Sequence, residues 1–315
     1  MATILTLPVS PRSSPTDLIH RAIPFVNALS VDVEDYFHVS AFEGAIDPSS
    51  WDSLESRVGT NTERILDLLD EYQIRATFFV LGWVADRQPS LVKAIQSAGH
   101  EIGTHGYRHQ LIYRQTPEEF RDDLRRSLNV LEDIVGEPIR LFRAPSFSIT
   151  KDSMWALDIL AEEGIMIDSS IYPTHHDRYG IPGVPLSPHQ ISTSHGPIWE
   201  FPPPVWKVMK YPLPVGGGGY FRLYPYQLSR FALRQIDQSG RPFCAYIHPW
   251  EIDPDQPRVR VGLASRFRHY LNLHRTESRI KQLLSDFPFG TISDSLGITP
   301  GATELQKNGR LRKVA

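Results

Sequence analysis

Ala28-Leu29-Ser30-Val31-Asp32-Val33-Glu34-Asp35-Tyr36 begins as an apolar run and ends with three carboxylates in four positions. The run from Pro24 to Val33 is almost continuously apolar. That is the pattern of a strand buried on both faces, as in parallel α/β sheets. Packing has no use for the carboxylates that follow. Like charges crowded together raise one another's pKa unless a cation sits among them. The strand end therefore reads as a metal site or as a paired acid/base site, with His105 and His109 further along the chain as candidate partners.

Outward from this strand the pattern alternates. A helix capped by Thr60 or Asn61 carries Ile65, Leu68, Leu69 and Tyr72 on one face. Ala76–Leu81 is a second strand, Ser90–Ala98 a short helix, and Glu101–Thr104 a strand that delivers His105. Thr116-Pro117-Glu118-Glu119 has the form of a capping box with Pro in the first turn, opening a helix to about Val135. Ile139–Phe142 delivers Arg143, and after a helix over Asp152–Glu163 the strand Ile165–Ile167 delivers Asp168. From Tyr172 to Gly219 the rhythm is lost, with Trp199–Phe201 the one clear strand and Gly216–Gly219 a flexible or tight loop. A helix over Pro225–Gln238, a strand Phe243–Ile247 ahead of His248, a helix near Glu277–Ser285 and a strand Gly290–Ile292 complete the chain.

Strands alternating with helices predict an α/β fold on a parallel sheet of about seven strands. Asp32, His105, Arg143, Asp168 and His248 each fall just past the C-terminal end of a predicted strand. In a β/α barrel those ends form one face, and active sites lie there.

Composition sets bounds. Of 315 residues 41% are hydrophobic and 22% charged, and 33 basic against 36 acidic side chains give a net charge of −3. That balance excludes a global basic field for nucleic acid or an anionic membrane. The single cysteine, Cys244, excludes an intramolecular disulfide and a cysteine-based structural zinc site. The apolar run Ile4–Val9 is broken by Pro8 and has no basic residues before it, so a cytoplasmic location is expected. His100-Glu101 does not open a zinc-protease motif, because Thr104 stands where the second His belongs.

The strand-end residues, in this order, resemble the polysaccharide deacetylase family, the NodB homology or carbohydrate esterase family 4 domain. Ser30 to Phe37, Asp168-Ser-Ser-Ile-Tyr-Pro, Gly217-Gly-Gly-Tyr-Phe-Arg222, His248-Pro-Trp-Glu and Arg268-His-Tyr-Leu-Asn-Leu-His-Arg275 look like its exosortase-locus (PEP-CTERM) exopolysaccharide deacetylases. The resemblance implies a distorted (β/α) barrel over 23–297; the Pro- and Ser-containing lead-in 1–22 is expected to be flexible and the polar, basic tail 298–315 disordered. It implies a divalent metal, zinc first, held by His105, His109 and one carboxylate. Val33 replaces the family's usual ligand, so Glu34 and Asp35 compete for that position. It further implies Asp32 as base, Arg143 as its partner, Asp168 holding Arg143 or the acid, and His248 as general acid. The Phe147 N–H is assigned to the oxyanion, with Tyr36 and Trp250 as further oxyanion or substrate contacts.

The implied reaction is hydrolysis of N-acetyl groups on a polysaccharide during exopolysaccharide assembly. The implied partners are an N-acetylated glycan and peripheral membrane assembly machinery. Two alternatives stand beside it: an allantoinase-like or other amidohydrolase on the same barrel, and a catalytically idle glycan-binding protein. Trp199, Trp206 and Pro202–Pro204 are core residues or the wall of a saccharide cleft. The segment holding His269, His274 and Arg275 is an amphipathic helix end or a contact for an anionic polymer.

Overall fold

The structure is a computed structural model that describes residues 25–176, 178–209 and 211–298. The first half of the chain runs β1 (Asn27–Val33), α1 (Val58–Glu71), β2 (Thr77–Val80), α2 (Gly82–Arg87), α3 (Pro89–Ser97), β3 (Glu101–Thr104), α4 (Pro117–Val135), β4 (Leu141–Phe142), α5 (Trp155–Glu162) and β5 (Ile167–Asp168). Two hairpins follow, β6 (His189–Thr193) with β7 (Gly196–Glu200) and β8 (Val205–Val208) with β9 (Tyr211–Pro214). Then come α6 (Gly218–Leu223), α7 (Tyr226–Gln238), β10 (Cys244–Ile247), α8 (Leu263–Tyr270), α9 (Leu273–Asp286), β11 (Phe289–Gly290) and α10 (Ile292–Leu296). Strands β10, β1, β2, β3, β4, β5 and β7 pair in that order, all parallel. This is a mostly parallel α/β sheet with the expected seven strands, extended by antiparallel β6 and by short β11 beside β1.

Alternation along β1 sorts its side chains. Leu29, Val31 and Val33 join the main cluster beneath the helices, whereas Ala28 packs with Phe79, Leu141, Ile167, Phe201 and Cys244. Ser30 and Asp32 continue the line of Ala28, so that line turns polar toward the strand's C-terminal end. Each fully buried Leu or Phe here contributes ~1.5–3 kcal/mol. The capping box on α4 is present: Glu119 N–H donates to Thr116 Oγ1 at 3.2 Å and Thr116 N–H to Glu119 Oε2 at 2.8 Å.

Among the described residues no ladder joins β10 to β7. The gap is bridged by irregular chain past β7: Val215 N–H donates to Pro204 O at 3.2 Å and Tyr246 N–H to Gly216 O at 3.0 Å. Glycine is required there, since a Cβ on Gly217 would lie 2.2 Å from Tyr246 O.

Several boundaries differ from expectation. Helix α1 starts at Val58, ahead of Thr60, because its cap comes from a distant carboxylate described below. The stretch 172–219 holds four strands; β9 is Tyr-Pro-Leu-Pro, and prolines without a donor are tolerated only on such edges. Gly218 opens a helix, and Ile292 belongs to α10 and not to a terminal strand. The expected lead-in 1–22 and, apart from Ile298, the tail 298–315 lie outside the described residues.

Candidate metal centre and cleft

A cleft of about 480 Å³ opens at the C-terminal ends of the strands, lined by Asp32, Glu34, His105, His109, Phe147 and His248 among others. A depression of about 650 Å³ lies elsewhere, beside β11 and α10, and is lined by Arg75, Phe289 and Asp294. It contains none of the strand-end residues.

The strand-end carboxylates separate by a local turn. Glu34 N–H donates to Asp32 O at 3.0 Å, so β1 stops in a three-residue turn centred on Val33. Glu34 then faces the two imidazoles. Its Oε2 lies 2.6 Å from His109 Nε2 and 3.9 Å from His105 Nε2, and Trp250 Nε1–H donates to Oε1 at 3.2 Å. Glu34, His105 and His109 each offer one ligand atom, all within 4.8 Å of one another. Despite its short distance to His109, Glu34 Oε2 is buried and meets no donor in hydrogen-bond geometry. An orphaned carboxylate oxygen between two imidazoles fits a divalent cation.

The imidazoles are presented accordingly. His105 Nδ1 lies 2.8 Å from Arg143 O; a carbonyl only accepts, so Nδ1 carries the proton and the Nε2 lone pair faces the cluster. Burial pushes the His105 pKa down to about 4, which keeps the ring neutral. The loop between the two rings is pinned to α4, with Tyr107 N–H and Arg108 N–H donating to the Asp123 carboxylate at 2.7 and 3.1 Å. Burial opposes the Glu34 charge, but the His109 contact and charge outweigh it and hold its carboxyl well below the usual range.

Asp35 does not join this group, which corrects its place as a candidate ligand. Its Oδ1 accepts from Tyr36 N–H at 2.9 Å. Its Oδ2 accepts from Ser56 Oγ, Arg57 N–H and Val58 N–H at 2.9, 2.8 and 3.1 Å. Both oxygens serve the chain, and they cap the start of α1. Tyr36 is likewise corrected: it is buried against Phe37, does not line the cleft, and burial beside Asp35 pushes its phenol up to about 12.

Asp32 is held from one side. Arg143, fully buried, donates from Nη1 to Asp32 Oδ1 at 2.8 Å and to Ser30 Oγ at 2.6 Å. The other Asp32 oxygen lies 3.7 Å from His248 Nε2. Arg143 is secured by Ser169, through the carbonyl to Nε at 3.1 Å and the hydroxyl to Nη2 at 2.8 Å. The expected partner Asp168 makes no hydrogen bond or ion pair with Arg143. It sits beside Glu200 in the β5–β7 register and accepts from Ser170 Oγ. Two buried carboxyls are neighbours there, and Asp168 Oδ2 and Glu200 Oε2 are both left without a hydrogen-bond partner. Burial raises Asp168 to about 6 and Glu200 well above its ordinary value.

His248 is backed by Glu251, the last residue of the string His248-Pro-Trp-Glu. Glu251 Oε2 accepts from the His248 backbone N–H at 3.0 Å and lies 3.1 Å from Nδ1, while Arg222 Nε donates to Glu251 Oε1 at 2.7 Å. Burial alone would depress the His248 imidazolium; Glu251, then Glu34 and Asp32, overcome it and bring the pKa up to about 9. The i, i+3 spacing in His-Pro-Trp-Glu is the signal that could have found Glu251, since it is a capping box. Trp250 stacks between His248 and His269 at 5.2 and 4.3 Å.

The Phe147 N–H, expected to face an oxyanion, donates to Ala144 O at 3.0 Å, and its ring lines the cleft. His109, Ser146 and Phe147 all have φ near +54°, a left-handed conformation costly for non-glycine residues, and all three border the cleft. Trp206 packs on Phe231 and Trp199 on the inner core; neither lines the cleft. Aromatic faces come instead from Phe147, Tyr179, Tyr220, Tyr246, Trp250 and Phe267.

Comparison with known proteins supports a family. Residues 50–164 match the family model described as polysaccharide deacetylase, and residues 169–297 match a domain of unknown function, DUF3473. A peptidoglycan-N-acetylglucosamine deacetylase of Bacillus cereus is 28% identical over 120 residues, which are 34% of this chain and 44% of that protein. The chain thus spans less than half the length of that relative. A solved Mycobacterium smegmatis structure assigned as a polysaccharide deacetylase superposes with a TM-score of 0.57 at 20% identity, over 98% of this chain and 99% of that one. The Puue allantoinase structure superposes at 0.54 and 15%, over 90% and 96%. At these identities the two structures speak for the fold.

Proposed function

On the premise of the polysaccharide deacetylase family, which the match over residues 50–164 and the relatives support, we propose that this protein hydrolyses N-acetyl groups on a polysaccharide. The observation that carries the reading is the meeting of three groups at one rim. Asp32 is locked by Arg143, its free oxygen is 3.7 Å from His248 Nε2, and Glu34, His105 and His109 cluster alongside.

In this reading Glu34, His105 and His109 hold a divalent cation, and two imidazoles with one carboxylate favour zinc. When bound, it supplies Lewis acidity toward the amide carbonyl. Asp32 takes a proton from the attacking water through the oxygen that Arg143 leaves free. A C–O bond forms to the acetyl carbon and the C–N bond breaks. His248 passes its Nε2 proton to the departing nitrogen, giving acetate and an amino sugar. Glu251 holds the imidazolium for that transfer, and Arg222 keeps Glu251 charged. Trp250 fixes Glu34. The aromatic faces offer stacking surfaces for sugar rings.

The exopolysaccharide part of the reading rests on the long strings quoted above, several of which fall within residues 169–297. The test is acetate release from chitooligosaccharides against ring opening of small cyclic amides, with zinc content measured in parallel. The expected result is acetate release that is lost in Asp32→Asn and in His105→Ala, with zinc lost only in the latter. Full activity of either folded variant, or turnover confined to the cyclic amides, overturns it.

A further inference from the structure

The chain as a whole carries a net charge of −3, yet the stretch 256–276 holds five arginines, Arg258, Arg260, Arg266, Arg268 and Arg275, and no Asp or Glu. The first four are exposed, and among the described residues none of these four forms an ion pair. Helix α8 lies within this stretch. Leu263 and Phe267 stand one turn apart on it, 82% and 59% exposed. Scattered single apolar side chains on a surface need no explanation. Two at i, i+4 on a short helix that carries Arg266 and Arg268 and no acidic residue form the pattern of an interfacial helix: apolar side chains for the acyl boundary, cations for anionic headgroups.

The place of the patch adds to this. Phe267, Arg268 and Leu271 line the cleft. Buried Arg222 donates to the carbonyls of Arg268, His269 and Leu271 at 3.1, 2.6 and 3.1 Å, fixing the end of α8 at the cleft mouth. The same guanidinium pairs with Glu251, which holds His248. A surface engaged by α8 therefore lies against the opening of the site. Asp255 and Glu277 border the stretch on either side, and acidic groups farther than about 8 Å from it are largely screened at physiological salt.

We propose that α8 and the arginines before it dock this protein on an anionic lipid bilayer, with the cleft mouth facing the membrane surface. A soluble anionic polysaccharide would also meet the arginines, but it has no use for a leucine standing 82% exposed. The proposal adds a place of action to the deacetylase reading. Its test reads binding and not turnover, so the two stand or fall separately.

The experiment is cosedimentation of the full chain with vesicles of phosphatidylcholine, and with vesicles in which about a quarter of the lipid is phosphatidylglycerol. Binding is expected only to the anionic vesicles and should weaken as salt rises. Arg260→Gln with Arg266→Gln should weaken it by roughly fivefold per arginine. Leu263→Asp should reduce it by about tenfold or more, with unchanged circular dichroism and unchanged acetate release from soluble chitooligosaccharide. Equal binding to neutral vesicles, no vesicle binding, or binding that survives Leu263→Asp overturns the proposal. So does retention on a soluble polyuronate that exceeds retention on the vesicles, which would assign the patch to an anionic polymer.

Discussion

Val33 sets how three neighbouring carboxylates divide their work. As an aliphatic side chain it faces the helix layer, and the turn it centres swings Glu34 toward His105 and His109. Asp32 stays on the inner line of β1 where Arg143 reaches it. His248 completes the set, and its charge depends on Glu251. Replacing Glu251 by Gln keeps a group near Nδ1 but removes the negative charge that lifts the imidazolium to about 9. A group with a raised pKa is protonated below that value, so an acid role for His248 predicts activity that is lost as pH climbs through the same region. Glu251→Gln should bring the alkaline limb of kcat/KM to lower pH and cut kcat by about 10²-fold. It should also lower Tm, since Arg222 loses a buried partner and such losses cost ~3–5 kcal/mol. A pH–rate profile taken well below Tm checks this, and an unmoved alkaline limb would remove Glu251 from the reading.

Asp35 belongs to helix α1. A helix start leaves N–H groups without partners, and Asp35, more than twenty residues upstream, accepts from two of those around Val58. Local capping rules look one to three residues ahead of a helix, so Thr60 and Asn61 drew the assignment while the true cap lay just past the end of β1. Helix α4 was legible because its Thr116–Glu119 box is local. The loop carrying His105 and His109 is an intermediate case: the spacing was visible, but its anchor Asp123 on α4 was not. Two substitutions separate these roles. Asp35→Ala should lower stability by about 2 kcal/mol and leave zinc stoichiometry unchanged. Asp123→Ala should weaken zinc affinity by roughly 10–100-fold, the usual effect of losing the support behind a ligand. Urea unfolding and competitive zinc titration decide. Zinc lost from Asp35→Ala under native conditions would return Asp35 to the ligand set.

The mostly parallel sheet was legible as a whole because its strands are short apolar runs, five of them closed by a polar residue, and position along the chain sufficed to bring Asp32, His105 and His248 to one cleft. What the sequence hid were partnerships made by register. Asp168 stands beside Glu200 because β5 pairs with β7, and nothing near Asp168 in the chain announces that neighbour. The pair has a consequence for global stability. Burial raises Asp168 to about 6 and Glu200 well above its ordinary value, so the folded protein retains protons that the unfolded chain releases near pH 4. Where the native state binds more protons, stability falls as pH rises, by up to ~1.4 kcal/mol per pH unit for each proton. This contribution is fully present below about pH 4, declines through about pH 6 as Asp168 ionises, and falls further above that with Glu200. Buried His38, His100 and His269 have lowered pKa values and act in the opposite sense, their contribution being lost as pH falls. A single Tm–pH curve therefore mixes both, and the informative quantity is a difference. Glu200→Gln removes the second carboxyl and offers an amide donor to Asp168. The Tm of this variant relative to the parent should rise between pH 5 and 8, an interval bracketing the Asp168 value of about 6. Parallel curves across that range would mean the two carboxyls do not titrate as a pair in the folded protein.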